Sequence, residues 1–223
     1  KDVYPKLHDK LKESGFDKKE PISKQLYDIY GLYPAPGDRH VGEFFPYYMK
    51  EEVLMEQDYE WKNNDFKVVD GWREEARVLF DEVRTKKEGY EEFLKGSGET
   101  ATYFIRSLAT GDISDEMVNV INNGYIDNVS SGIIVELPTY IDEFGLHPQK
   151  IGKLPDAIAA QCDRLGREYL LMVEAAATCN YELARQAMFL DPLVSNCKYP
   201  ELLLKDLIRA NLDLLPEAWE KHC

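Results

Sequence analysis

Positive charge is scarce in this chain. Across 223 residues, 27 Lys and Arg stand against 41 Asp and Glu, a formal net charge of −14. A phosphate backbone repels such a surface, which excludes nucleic acid as a bulk partner. Long apolar runs are also missing. Gly132–Val135 and Tyr169–Val173 are the longest, against the roughly 20 residues a bilayer span needs. Cysteine pairs are absent too: Cys162, Cys179, Cys197 and Cys223 are irregularly spaced, with no CxxC among them. Cys162 and Cys179 sit in apolar helical sequence, so the expectation is buried free thiols, a reducing compartment and hence the cytoplasm. The sequence contains no GxGxxG, P-loop, HExxH or GxSxG motif, so no self-contained nucleotide-dependent or zinc enzyme is visible. No secretory signal opens it, and it begins at Lys1 rather than Met, which reads as a trimmed start or a piece of something longer.

What is present is the composition of a folded protein: 44% hydrophobic, 12% aromatic and 30% charged residues, enough for a real core. Residues 2–14 read as a short amphipathic helix. Pro21 leads a second helix with Ile22, Leu26 and Ile29 at helical spacing and Gly31 as its C-cap. Residues 32–40 are rich in turn formers and predict a structured loop, followed by the aromatic patch Phe44-Phe45-Pro46-Tyr47-Tyr48. Residues 56–95 carry helical periodicity through Trp72, Ala76, Leu79, Phe80 and Val83, closed by a Gly96-Ser97-Gly98 turn, and residues 100–110 predict another helix. Met117–Tyr125 predicts a strand running into an Asn-Asn-Gly turn, and Ile133–Leu137 a strand ending at Pro138. Helices then run from Pro155 to Thr178, on to Leu190, and from Glu201 to Leu215. The sum is a mostly helical α+β chain with a small antiparallel sheet, one domain over residues 1–223.

Two polar clusters stand out. Gly37-Asp38-Arg39-His40, with Glu43 three residues on, combines an acid, a guanidinium and an imidazole. Such a set serves as general acid or base plus anion clamp, or as a surface turn in which Asp38 caps the following helix and Arg39 pairs with Glu43. Asn119, Asn122, Asn123 and Gly124 either hydrogen-bond a sugar or shape a hairpin. His147 reads as structural.

In order along the chain, Asp2-Val3-Tyr4-Pro5-Lys6-Leu7, Tyr30-Gly31-Leu32-Tyr33-Pro34 leading to Gly37-Asp38, Asn119–Gly124, Val135-Glu136-Leu137-Pro138, Gly145-Leu146-His147-Pro148 and Leu190-Asp191-Pro192 resemble the C-terminal portion of glycoside hydrolase family 4. That family comprises the NAD- and divalent-metal-dependent glycosidases, which share their architecture with lactate and malate dehydrogenases. The resemblance spans nearly the whole chain. It implies that the NAD-binding Rossmann domain and the metal-ligating Cys and His precede the residues seen here, so that neither cofactor-binding nor metal-binding residues lie in this chain.

The resemblance further implies oxidation at C3 of the sugar by NAD, proton abstraction at C2 beside a metal such as Mn²⁺, elimination of the aglycone, water addition and re-reduction, outside the usual two-carboxylate scheme. The family's base is a Tyr in some members and an Asp in others. The latter matches Asp38 as the catalytic residue, with Tyr47 or Tyr48 as substitutes. Arg39 and His40 depart from the glucosidase-like pattern and suit a sugar carboxylate, so an α-galacturonide or other α-uronide is the expected substrate. Asn122 is a further sugar-binding candidate. The alternatives are a neutral α-glucoside, a 6-phosphoglycoside, a non-catalytic assembly or binding module, or a dehydrogenase relative. Dimers or tetramers are common in the family, which makes a homo-oligomer the expected state.

Overall fold

The computed structural model describes residues 3–12, 20–48, 66–86 and 100–222. The Gly96–Gly98 turn and residues 56–65 of the charged segment lie outside them. The elements are α1 (Tyr4–Leu11), α2 (Pro21–Tyr30), α3 (Asp38–Glu43), α4 (Phe66–Lys86), α5 (Ala101–Thr110), β1 (Ser114–Ile121), β2 (Ile134–Asp142), β3 (Gly145–Pro148), α6 (Asp156–Thr178), α7 (Tyr181–Leu190) and α8 (Pro200–Ala210), with 3-10 turns at Pro192–Asn196 and Glu217–His222. The strands form one sheet in the order β1-β2-β3, with β2 and β3 antiparallel from Thr139↔Pro148 to Asp142↔Gly145. The fold is therefore the expected mostly helical α+β type.

By its internal contacts the chain divides into two compact units, the first holding residues 1–59, 119–135 and 150–223, the second 60–118 and 136–149. The division falls within β1 and β2, which the sequence read as parts of a single domain. In the second unit Leu137, Thr139 and Ile141 alternate along β2 and are buried, the period-two signature of a strand with one covered face. β2 does not end at Pro138. It continues to Asp142, and the Pro138 carbonyl accepts the Gln149 N–H at 2.9 Å. His147 consequently lies on a strand, not in a loop. Ser107 of α5 is buried and its hydroxyl meets that of Ser114 at 2.8 Å, whereas Ile105 and Leu108 are exposed.

In the first unit the 23-residue α6 is the spine. Its Gly166 lies so close to the 122–133 loop that a Cβ there would stand 2.5 Å from Ile133 Cδ1 and 2.9 Å from Ile133 Cβ. Leu204, Ile208 and Trp219 make a separate cluster with Tyr181, Ala184 and Met188 around them. Cys162 is exposed and Cys179 and Cys197 are half-buried, all three free thiols. This corrects the expectation of buried cysteines. Cys162 faces a cavity wall and Cys179 is the α6 C-cap, held in the left-handed region at φ 51°.

Candidate functional site

The Gly37–Glu43 segment is a short helix held at both ends. Pro21 opens α2, and its own N-cap Glu20 makes no side-chain cap. The α2 donors are taken instead by Asp38, sixteen residues on: Ile22 N–H donates to Oδ2 at 2.8 Å and Ser23 N–H to Oδ1 at 2.7 Å. Glu20 Oε2 in turn accepts the Asp38 N–H at 2.9 Å. Each carboxylate thus serves the start of the other's helix, where unpaired N–H groups and the dipole favour negative charge. At the far end of α3, the Phe44 carbonyl accepts from Gln161 Nε2 at 2.6 Å and from an Arg164 guanidinium nitrogen at 3.1 Å, both on α6.

Burial raises the Glu20 carboxyl above the ordinary glutamate value, and the neighbouring Asp38 carboxyl adds to it. Burial likewise raises the Tyr33 hydroxyl, against a lowering hydrogen bond with Ser23. The Tyr48 hydroxyl is pushed up to about 12 by burial, then by Tyr47 and Tyr30. It donates to Gln25 Oε1 at 2.7 Å, which packs Tyr48 against α2. Tyr47 is exposed and stands edge-on to it, ring centres 5.3 Å apart.

The sequence candidates are therefore placed as follows. Asp38 is 4% exposed, and its carboxylate caps the preceding helix α2, not the following one. Both of its oxygens are occupied by backbone N–H groups of α2 within a buried cap. Through these bonds Asp38 ties α3 to the start of α2. His40 lies exposed on α3, its Nδ1 3.9 Å from Glu43 Oε2. The backbone of Arg39 is in the same helix.

Asn122 is corrected. Expected to reach a sugar, it is 0% exposed, and its side chain is consumed by its own loop. Nδ2 donates to the carbonyls of Ile126, Val129 and Ser130 at 3.1, 2.8 and 3.2 Å, and Oδ1 accepts the Ile126 N–H at 3.0 Å. The hairpin-shaping alternative describes it. The same loop is tied to α6 by Ser130 N–H on Asp163 Oδ1 at 2.7 Å, with Arg167 Nε on Oδ2 at 2.7 Å. These bonds hold the Asp163 carboxyl down to about 2.

A cavity of about 330 Å³ lies beside α3, walled by Tyr30, Val41, Phe44 and Phe45 with Gln161 and Leu165 of α6. Its apolar, aromatic surface suits the C–H face of a sugar ring or an aglycone. No pattern of spacing announced it, because its walls come from three segments far apart in sequence. A second hollow of about 440 Å³ is lined by Asp127, Asp156 and Asp163, but each pairs with a cation: Lys150 at 2.9 Å, Lys153 at 3.5 Å and Arg167 at 2.7 Å. Among the described residues no three His, Cys, Asp or Glu come together to hold a metal ion, and no helix is long and apolar enough to cross a membrane.

Comparison with known proteins gives these surroundings a context. Residues 1–194 match the model of the family 4 glycosyl hydrolase C-terminal domain. An α-galacturonidase of Thermoanaerobacterium saccharolyticum is 30% identical over 98% of this chain and 50% of its own length. An α-galactosidase of Bacillus subtilis is 29% identical over 97% of this chain and 51% of its own. A 6-phospho-α-glucosidase from gut microorganisms, solved with NAD and glucose-6-phosphate, superposes with a TM-score of 0.76 at 25% identity, covering 97% of this chain and 50% of that one. The chain spans about half the length of the curated relatives it matches.

Proposed function

We propose, for a chain that belongs to family 4 of the glycosyl hydrolases through their C-terminal domain, that it forms the substrate-side part of an α-glycosidase acting on an α-galacturonide. The observation that carries the reading is the anchoring of α3. The Glu20–Asp38 exchange fixes its start, Gln161 and Arg164 fix its end, and His40 is left exposed upon it. A donor on so rigid a turn loses little freedom when it meets a sugar carboxylate. The likeness to α-galacturonidases supports the same substrate.

In this reading the aromatic cavity beside α3 receives the apolar face of the substrate, and Asp38 is a positioning residue. The full protein's cofactors would be NAD and a divalent metal, supplying a hydride acceptor and a Lewis acid. The described residues fit neither group: they bring no metal-ligating cluster together, and the sheet offers an antiparallel β2–β3 hairpin rather than the strand–turn–helix that cradles a dinucleotide. A Rossmann domain elsewhere in the protein is the proposed partner that holds them. A homo-oligomer in the cytoplasm is the proposed setting.

A second reading, a neutral α-galactoside, is favoured by Glu43, which places a carboxylate beside His40, and by the similarity to an α-galactosidase. His40→Ala and Arg39→Ala in the full-length protein separate the two. The uronide reading expects kcat/KM on an aryl α-galacturonide to fall about tenfold or more per variant, the value of one charge-assisted hydrogen bond, with the aryl α-galactoside unaffected. Equal losses on both substrates would favour the neutral sugar.

A further inference from the structure

The mechanism leaves one buried carboxyl unused. Glu168 lies on α6 in the first unit and is 2% exposed, yet its Oε2 has no hydrogen-bond partner. A buried acceptor without a partner is left with its desolvation uncompensated, and the surroundings do not relieve it. Glu168 opens on a cavity of about 320 Å³ whose other walls are Met172, Met188, Leu204, Leu207 and Trp219, with Asp191 as the second acid. Burial first, then the Asp191 charge, pushes the Glu168 carboxyl up to about 7, with Arg164 opposing. The Asp191 carboxylate is engaged locally, accepting the Leu193 N–H at 2.7 Å. The site is thus apolar on most of its wall and acidic at one end, where no group of the chain reaches Glu168 Oε2.

We infer that this cavity is a binding site for a small primary ammonium ion with an apolar body, its head donating to Glu168 and its hydrocarbon lying among Met172, Met188, Leu204 and Trp219. The chemistry favours this class over the alternatives. An anion would meet two carboxyls. A neutral hydrocarbon would fill the volume but leave Oε2 unpaired. A sugar would bury several hydroxyls against methionine and leucine, with only the acid end to receive any of them. An ammonium supplies the donor and the charge that Glu168 lacks, and the Trp219 ring and the thioethers accept a cation's neighbouring CH₂ groups without penalty. The cavity volume suits a cyclohexyl or benzyl body.

The test uses cyclohexylmethylamine and its neutral counterpart cyclohexylmethanol, titrated at pH 8 into the chain carrying ¹³C-methyl methionine. The Met172 and Met188 signals are assigned by M172L and M188L. The account expects saturable shifts of both methyls, with the amine bound about tenfold or more tightly than the alcohol, one charge-assisted bond's worth of affinity. In Glu168→Gln, which keeps the shape and removes the charge, that preference should fall to about one. Absence of shifts at these two methyls, equal binding of amine and alcohol, or an amine preference that survives Glu168→Gln would each overturn the inference. Thermal unfolding of the variant, expected to match or exceed that of the native chain, guards against reading a misfolded protein as a lost site.

Discussion

Glu20 and Asp38 exchange caps. The Asp38 carboxylate accepts the Ile22 and Ser23 N–H groups at 2.8 and 2.7 Å, while Glu20 Oε2 accepts the Asp38 N–H at 2.9 Å. Two helices that share no sequence motif are thereby locked start to start, and the exposed His40 inherits its position from the lock.

Removing the lock separates positioning from chemistry. Asp38→Ala leaves two helix donors unpaired and should cost about 2 kcal/mol in urea unfolding. Asp38→Asn retains one acceptor oxygen and should cost about half as much. In the full-length protein Asp38→Asn should raise KM for the galacturonide more than it lowers kcat. A collapse of kcat with unfolding stability intact would instead make Asp38 the base.

Asn122 should behave as a structural residue. Asn122→Ala deletes the bonds to Ile126, Val129 and Ser130 inside a closed loop, with an expected cost of about 3 kcal/mol. Urea denaturation checks it, and a sugar's affinity should fall only as far as the folded fraction does.

Gly166→Ala tests the approach of α6 to the 122–133 loop. A helix-interior alanine ordinarily stabilises by about 1 kcal/mol over glycine. Here its Cβ would stand 2.9 Å from Ile133 Cβ, which is no flexible tip. The expected net result is a loss of about 1–3 kcal/mol, read as a lower thermal midpoint. Gly166→Ala paired with Ile133→Ala should recover part of it.

Glu168 sets a pH dependence whose sign follows from its raised carboxyl. With a folded pKa of about 7 against the ordinary glutamate value of 4.5, the folded chain holds the proton more tightly than the unfolded one. Its contribution is fully present below about pH 4.5 and is lost as pH rises through 7. Native stability should fall by about 2 kcal/mol between pH 5 and 8 on this account, and Glu168→Gln should flatten that slope. Asp163, held down to about 2, works in the opposite sense: its contribution is present above about pH 4 and is lost as pH falls toward 2.

The helices were legible because their signals are local. Pro21 and Gly31 bracket α2, and apolar spacing through Leu204 and Ile208 marks α8, although that helix stops at Ala210 rather than Leu215. Pro138 misled the reading of β2, which runs on through it to Asp142. The polar residues were harder. Asp38 and Asn122 looked like ligand-binding groups, because sequence shows residue type and turn context but not which backbone groups will be left without partners. Asp38 meets α2 across about fifteen residues, and Gln161 reaches Phe44 across 117 positions. The aromatic cavity and Glu168's unpaired oxygen exist only once those distant segments pack.

The measurement that bears most directly on the central claim is hydrolysis of an aryl α-galacturonide by the full-length protein, with and without NAD and Mn²⁺ under reducing conditions, beside an aryl α-glucoside and an aryl α-galactoside. The account predicts cofactor-dependent release from the galacturonide, with little from the two neutral sugars. Release from a neutral glycoside alone, or from none of the three, would contradict it.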